Sequence, residues 1–171
     1  NHQELHLRLD KGFKGCPNIG CVVFNEIEHT KEFGLFTSTL GANDKVFIIS
    51  SIFGGTGSSG FPQLTRLIRG HSSPQVNQVN IGACTLMPYF NVEKDDTSQI
   101  SSQRFKSKAK AALAYYEDAL INNDSDRMVD AFYYLYDEAK GTYPNEEGGV
   151  KQVNAAHVVE LLGASSVLHF I

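Results

Sequence analysis

Apolar residues along this chain fall into two rhythms. Short continuous runs of β-branched and aromatic residues alternate with stretches whose apolar positions recur every three or four residues. The run VFIISSIF, residues 46–53, is too short and continuous for a surface helix and reads as a buried strand of a parallel sheet. Beyond it, Phe61, Leu64, Leu67 and Ile68 have helical spacing and predict a helix over 60–69. The two rhythms continue as strand 78–87, helix 103–121, strand 131–136 and helix 151–170, with a helix, a loop and a helix ahead of the first strand. This alternation predicts an α/β fold: a mostly parallel sheet flanked by helices. Two polar stretches rich in Gly, Pro and Ser, 94–103 and 138–149, read as mobile loops.

Between the first strand and its helix lies FGGTGSSGFP, residues 53–62. Ser58 or Ser59 is a natural N-cap, and Pro62 suits a first helical turn. A strand, a glycine turn and a helix together make an anion site, because a helix N-terminus offers unpaired N–H donors and about half a positive charge. Three phosphate or nucleophile templates fail here. The Walker A loop needs Lys where Phe61 stands. The nucleophile elbow needs glycines two residues either side of a serine, and neither Ser58 nor Ser59 has both. Gly55, Gly57 and Gly60 match the dinucleotide fingerprint, but no Asp or Glu lies between Phe61 and Val92 to hold a ribose, which argues against a nicotinamide-dependent oxidoreductase.

A fourth template fits. FGGTGSSGFP resembles the GGGTG(S/T)G glycine loop of the tubulin/FtsZ family, with Pro62 where bacterial members commonly carry proline. Upstream, GCPNIG (residues 15–20) resembles the family's γ-phosphate loop. Downstream, VNIGACTLMPYF, RFKSKAKAALAYYEDAL, DAFYYLYDE and VNAAHVVELLGASSVLHFI resemble, in the right order, its next strand, helix, strand and long central helix. The chain is thereby identified as a divergent bacterial member. Two departures stand out: Phe53 occupies the family's first glycine and Ser59 its last. A phenylalanine does not adopt positive φ cheaply, so that position is either extended or part of a differently shaped loop.

The resemblance implies a guanine nucleotide ligand, GTP or GDP. Backbone amides of Gly54, Gly55, Thr56, Gly57 and Ser58 would cradle the α- and β-phosphates, with hydroxyls of Thr56 and Ser58 as added donors. Cys16, Pro17, Asn18 and Gly20 would close over the γ-phosphate, and Mg²⁺ would be carried mainly by phosphates and water. Asp137 and Asn154 match base-contacting positions. A carboxylate at Asp137 accepts from the adjacent N1–H and N2 amino donors of guanine, whereas adenine presents an acceptor at N1. In the family the hydrolytic carboxylates come from a neighbouring subunit, so no catalytic residue is named, and GTP hydrolysis is expected in a self-assembled, filament-like form. The alternative is a non-hydrolysing regulatory or scaffold protein that kept the fold. Gly57→Val is expected to abolish nucleotide binding while leaving the fold cooperative. Residues 1–171 read as a partial nucleotide-binding domain, with the family's first strands and C-terminal domain missing.

Composition narrows the rest. At 171 residues, with 42% hydrophobic and 20% charged, the chain has the makings of one globular domain. A net charge of −4 argues against nucleic-acid binding. The one basic run, Arg104, Lys106, Lys108 and Lys110, reads as a solvated helix face. No run reaches the roughly 18 apolar residues of a membrane span, and no signal peptide opens the chain. Cys16, Cys21 and Cys84 form no CxxC pair and suggest a reducing cytoplasm. His2 and His6 with Cys16 or Cys21 lack an evident fourth zinc ligand, so no metal site is assigned. His157 and His169 read as buried, hydrogen-bonded histidines of the last helix.

Overall fold

The computed structural model of the chain describes residues 12–98, 100–121, 128–146 and 155–171. Helix α1 (Pro17–Asn25), a 3₁₀ turn (Glu26–His29) and helix α2 (Lys31–Thr39) precede strand β1 (Lys45–Ser51). Helix α3 (Gly55–Arg69) and the short α4 (Pro74–Asn77) lead to β2 (Asn80–Leu86) and β3 (Asn91–Val92). Helix α5 (Ser102–Tyr116) runs on through a π turn (Glu117–Ile121). Strands β4 (Ala131–Leu135) and β5 (Thr142–Tyr143) and helix α6 (Val158–Phe170) follow.

The main sheet is parallel, in the order β1-β2-β4. Its register runs from Lys45↔Asn80 to Ser51↔Leu86 and from Gly82↔Ala131 to Leu86↔Leu135. This is the expected α/β architecture. Central β2 is buried along almost its whole length, as a strand covered on both faces must be. Ile81 and Ala83 join Phe61 and Ile68 of α3 and Phe105, Ala109 and Tyr116 of α5 in the main apolar cluster. The alternate residues face α6: Gly82 lies against Phe170, and Gly163 of α6 lies over Leu86.

The expected boundaries shift at several elements. Ile52 and Phe53 leave β1 yet stay buried, so the apolar run ran past the end of the strand. Helix α3 starts at Gly55, ahead of the expected residue 60, with Gly54 rather than a serine as N-cap. Described α6 begins at Val158, and residues 155–157 before it are not helical. The second of the stretches read as mobile loops contains strand β5, which pairs in parallel with β3, just ahead of the first, as a two-stranded ribbon, Asn91↔Thr142 and Val92↔Tyr143. Asn145 clasps it: its amide gives hydrogen bonds to Glu93 O (3.1 Å) and Ile100 O (2.9 Å) and accepts one from Ser98 Oγ (3.2 Å). His169 is hydrogen-bonded, to the Tyr133 hydroxyl at 2.8 Å, but is exposed rather than buried.

Because α3 starts early, Pro62 falls in its interior. A proline has no N–H to give the carbonyl four residues back, here that of Ser58. The Tyr116 hydroxyl replaces it, donating to Ser58 O at 2.9 Å from a fully buried ring. Burial pushes that hydroxyl well above the ordinary tyrosine range, so it remains a donor at any physiological pH. Tyr116→Phe keeps the ring and strands the carbonyl; a loss of about 1–3 kcal/mol in chemical denaturation is expected. An unchanged midpoint would mean the carbonyl has another partner.

Candidate functional site

At the carboxyl end of β1 the chain passes through Phe53 into Gly54, whose φ of −87° and ψ of 170° are ordinary extended backbone. Among the described residues, positive φ occurs only at Gly12, Lys14 and Gly15, so Phe53 adds no backbone strain at the position of the family's first glycine. Its ring is instead a buried anchor, with centroids 5.0 Å from Phe105, 5.6 Å from Phe90 and 6.3 Å from Tyr89.

What the glycine turn requires is space. A Cβ on Gly55 would lie 2.9 Å from the backbone nitrogens of Gly15 and Cys16, and one on Gly57 would lie 2.6 Å from the carbonyl oxygen of Ser51. Side chains there would push α3 off both neighbours. With glycine, the N-terminus of α3 abuts the N-terminus of α1, where Cys16 is the N-cap and Pro17 opens the helix as N-terminal prolines do. The junction is tied by Phe13 N donating to Thr56 Oγ1 (3.3 Å) and Cys16 N donating to Phe13 O (2.7 Å). Neither helix has a side-chain cap or an acidic residue in its first turn. Two positive helix ends thus meet, neither compensated by a carboxylate of its own first turn.

The residues expected to bind phosphate fall into two groups. Thr56 and Asn18 are exposed, and Cys16, Pro17, Gly54 and Gly57 are partly so. Gly55, Ser58 and Gly20 are buried: Gly20 sits a turn into α1 against Ser59, and the Ser58 hydroxyl donates to Gly54 O within its own helix.

Lys108, expected on a solvated helix face, is instead half-buried. Its Nζ donates to Gly15 O at 2.6 Å, and it lines a cavity of about 320 Å³ together with Gly15, Gly54 and Phe53. Burial pulls its pKa below the usual lysine value, an effect opposed by Cys16 nearby. Helical geometry was the missed signal: residues four apart share a face, so Arg104 and Lys108 divide from Lys106 and Lys110. The latter pair lines a separate cavity of about 570 Å³ near Tyr136.

Asp137 lies just beyond β4. Its Oδ1 accepts from Glu138 N (2.7 Å), and its Oδ2 is 3.4 Å from His157 Nε2. His157 is the N-cap of α6, its Nδ1 accepting from Val159 N at 3.2 Å, so the protonated nitrogen is Nε2, facing the carboxylate. Tyr89 links this corner to the glycine turn: its ring centroid is 5.0 Å from that of His157 and 6.3 Å from that of Phe53. Its hydroxyl donates to Glu160 Oε1 (2.8 Å), and burial with that carboxylate pushes it above the ordinary tyrosine range. Nothing in the one-dimensional pattern signals the His157–Asp137 pairing. Asn154, like His2 and His6, lies outside the described residues. Among the described residues no three His, Cys, Asp or Glu side chains converge as metal ligands, and no helix is long and apolar enough to cross a membrane.

A parallel sheet with a glycine turn and two helix N-termini at its carboxyl edge is the layout of α/β domains that hold anionic ligands at strand exits. The model of the tubulin-like family matches residues 23–147, and the chain belongs to that family. The match takes in the strand, glycine turn and helix, Lys108 and Asp137, and begins within α1. No curated protein and no solved structure matches the chain.

Proposed function

We propose that this protein is a guanine nucleotide-binding member of the tubulin/FtsZ group, of the divergent bacterial kind, that hydrolyses GTP when self-assembled in the cytoplasm. The observation that carries the reading is the junction of the α1 and α3 N-termini beside a half-buried lysine, in a chain of tubulin-like family. The amides of Gly54, Thr56 and Gly57, the residues of the turn that reach solvent, would take the α- and β-phosphates, and the turn of Cys16, Pro17 and Asn18 the γ-phosphate. Lys108 would exchange its bond to Gly15 O for a phosphate oxygen, which restores the ammonium stability that burial removes. Asp137, held by His157, would accept from the guanine N1–H and N2 amino group. Mg²⁺ would come with the phosphates.

A specific observation favours the second reading, a binding or scaffold protein without turnover. The hydroxyls of Ser58 and Ser59 are both spent on backbone carbonyls at the start of α3, Gly54 O and Gly55 O. The full-length protein separates the two. Calorimetry is expected to find GTP bound in preference to ATP by about tenfold or more, the worth of one charge-assisted hydrogen bond. GTP turnover per subunit is expected to rise with protein concentration, with pelletable assemblies appearing over the same range. Binding without turnover at any concentration would select the scaffold reading; no GTP binding would overturn both.

A further inference from the structure

The cavity at the glycine turn is mostly apolar and contains one carboxylate. Phe53, Phe90 and Phe105 line it together with Gly15 and Gly54 of the two helix ends, Lys108 and Glu146. Glu146 belongs to the ribbon, not to the sheet or helices. It follows directly on Asn145, the clasp residue, and its own N–H donates to Pro144 O at 3.1 Å. Three hydrogen bonds between the preceding side chain and segment 93–100, two donated and one accepted by Asn145, fix where this residue is delivered.

A carboxylate beside a phosphate site is unfavourable unless a cation lies between them. Lys108 is one cation, but its Nζ is engaged at Gly15 O on the cavity wall, and a hydrolysable triphosphate brings more negative charge than one lysine offsets. Mg²⁺ is ordinarily held by one or two protein carboxylates together with substrate phosphates. On the nucleotide-binding reading given above, we propose that Glu146 is a carboxylate ligand, supplied by the same chain, for the divalent cation that accompanies the nucleotide. The ribbon β3–β5 then has a function: it carries an acidic side chain to the cavity at the glycine turn, whose other described lining residues provide none. Glu146 holds the ion directly or through one of its waters, and the phosphates complete the shell.

The test compares wild-type full-length protein with Glu146→Gln, measuring GTP affinity by calorimetry in Mg²⁺ and in EDTA. Glutamine keeps the shape and removes the charge. The wild type is expected to bind GTP about tenfold more tightly with Mg²⁺ than without, the scale of one charge–charge contact at a partly exposed site. Glu146→Gln is expected to lose most of that enhancement and, in EDTA, to bind GTP more tightly than the wild type, because a repelling charge is gone. Manganese titrated in the presence of GDP, followed by electron paramagnetic resonance, is expected to show weaker ion binding in the variant. An unchanged Mg²⁺ enhancement overturns the proposal. So does equal weakening or equal strengthening in both buffers, which would mark Glu146 as a structural residue or a simple counter-charge to Lys108. If the wild type binds no GTP in either buffer, the nucleotide reading itself fails, and this inference with it.

Discussion

Gly57→Val is expected to unfold the domain, not simply to blind it to phosphate. The sequence alone suggests the gentler outcome, since a glycine in a phosphate turn is explained by close approach of the ligand. The structure supplies a different neighbour. A Cβ at residue 57 would stand 2.6 Å from Ser51 O and 2.9 Å from Ser51 N, and both are backbone atoms of β1 that cannot swing aside. Relieving the overlap means lifting the first turn of α3 off the sheet, at the point where α1 also packs on it. Overpacking of this kind costs about 1–3 kcal/mol for one methyl, and a branched side chain exceeds that. The helix propensity gained on leaving glycine returns only about 1 kcal/mol. Gly57→Ala should therefore lose up to about 2 kcal/mol and Gly57→Val more than about 3 kcal/mol, a large part of a typical domain's stability. Gly34 is the control. It lies within α2 with nothing inside 4 Å of a built Cβ, so Gly34→Ala should stabilise by about 0.5–1 kcal/mol. Urea denaturation of the three variants decides between the explanations. If Gly57→Val unfolds with the wild-type midpoint, the glycine serves only the ligand.

The same contrast shows which parts of the fold were legible in the sequence. β2 announced itself because a strand covered on both faces must be apolar at nearly every position; β1 and β4 carry similar apolar and aromatic runs although Ile49 and Tyr134 are about half exposed. Helix α3 was legible from Phe61 onward, where its apolar stripe begins. Its first turn was not, because Gly55, Thr56, Gly57 and Ser58 have poor helix propensity and are made helical by contacts with Gly15, Cys16 and Ser51, more than 30 residues away for the first two and in another element for the third. The ribbon was invisible for a related reason: strands of two residues carry no periodicity, and what orders them is the amide of one asparagine. At the site, the glycine turn was found by its chemistry. Lys108, Glu146 and His157 were missed because each gains its place from a partner distant in the chain, Gly15 for the first, the clasped ribbon for the second and Asp137 for the third.

Arg69→Met is expected to cost about 2–4 kcal/mol although it lies at the opposite end of α3 from the glycine turn. The side chain is only 17% exposed, and its guanidinium uses nearly its whole fork. Nε donates to Met128 O (3.1 Å), and Nη1 to Asn77 O (2.9 Å) and Val79 O (2.6 Å). Nη2 donates to Asp130 Oδ2 (2.8 Å), an oxygen that also accepts from Ile81 N at 2.7 Å. One side chain thus joins the C-terminus of α3 to the chain entering β2 and the chain entering β4. Methionine would fill much of the volume but leave three carbonyls without the arginine's N–H groups and Asp130 without its cation. The penalty falls on the groups left behind more than on the bonds lost. Arg69→Lys tests geometry against charge: a lysine keeps the cation but cannot span four acceptors in a plane, so most of the loss should remain. Asp130→Asn should cost less than Arg69→Met, since the arginine keeps its three carbonyls, and the double variant should cost less than the sum because the pair is coupled. A lysine as stable as the wild type would show that charge alone matters. Because α3 is a single rigid element from Gly55 to Arg69, loosening its far end should also tilt its N-terminus away from Cys16. The Arg69→Met protein, still folded at low temperature, should therefore lose GTP affinity without any change to a residue at the glycine turn; unchanged affinity would mean that Ser51 and Cys16 position that end of the helix by themselves.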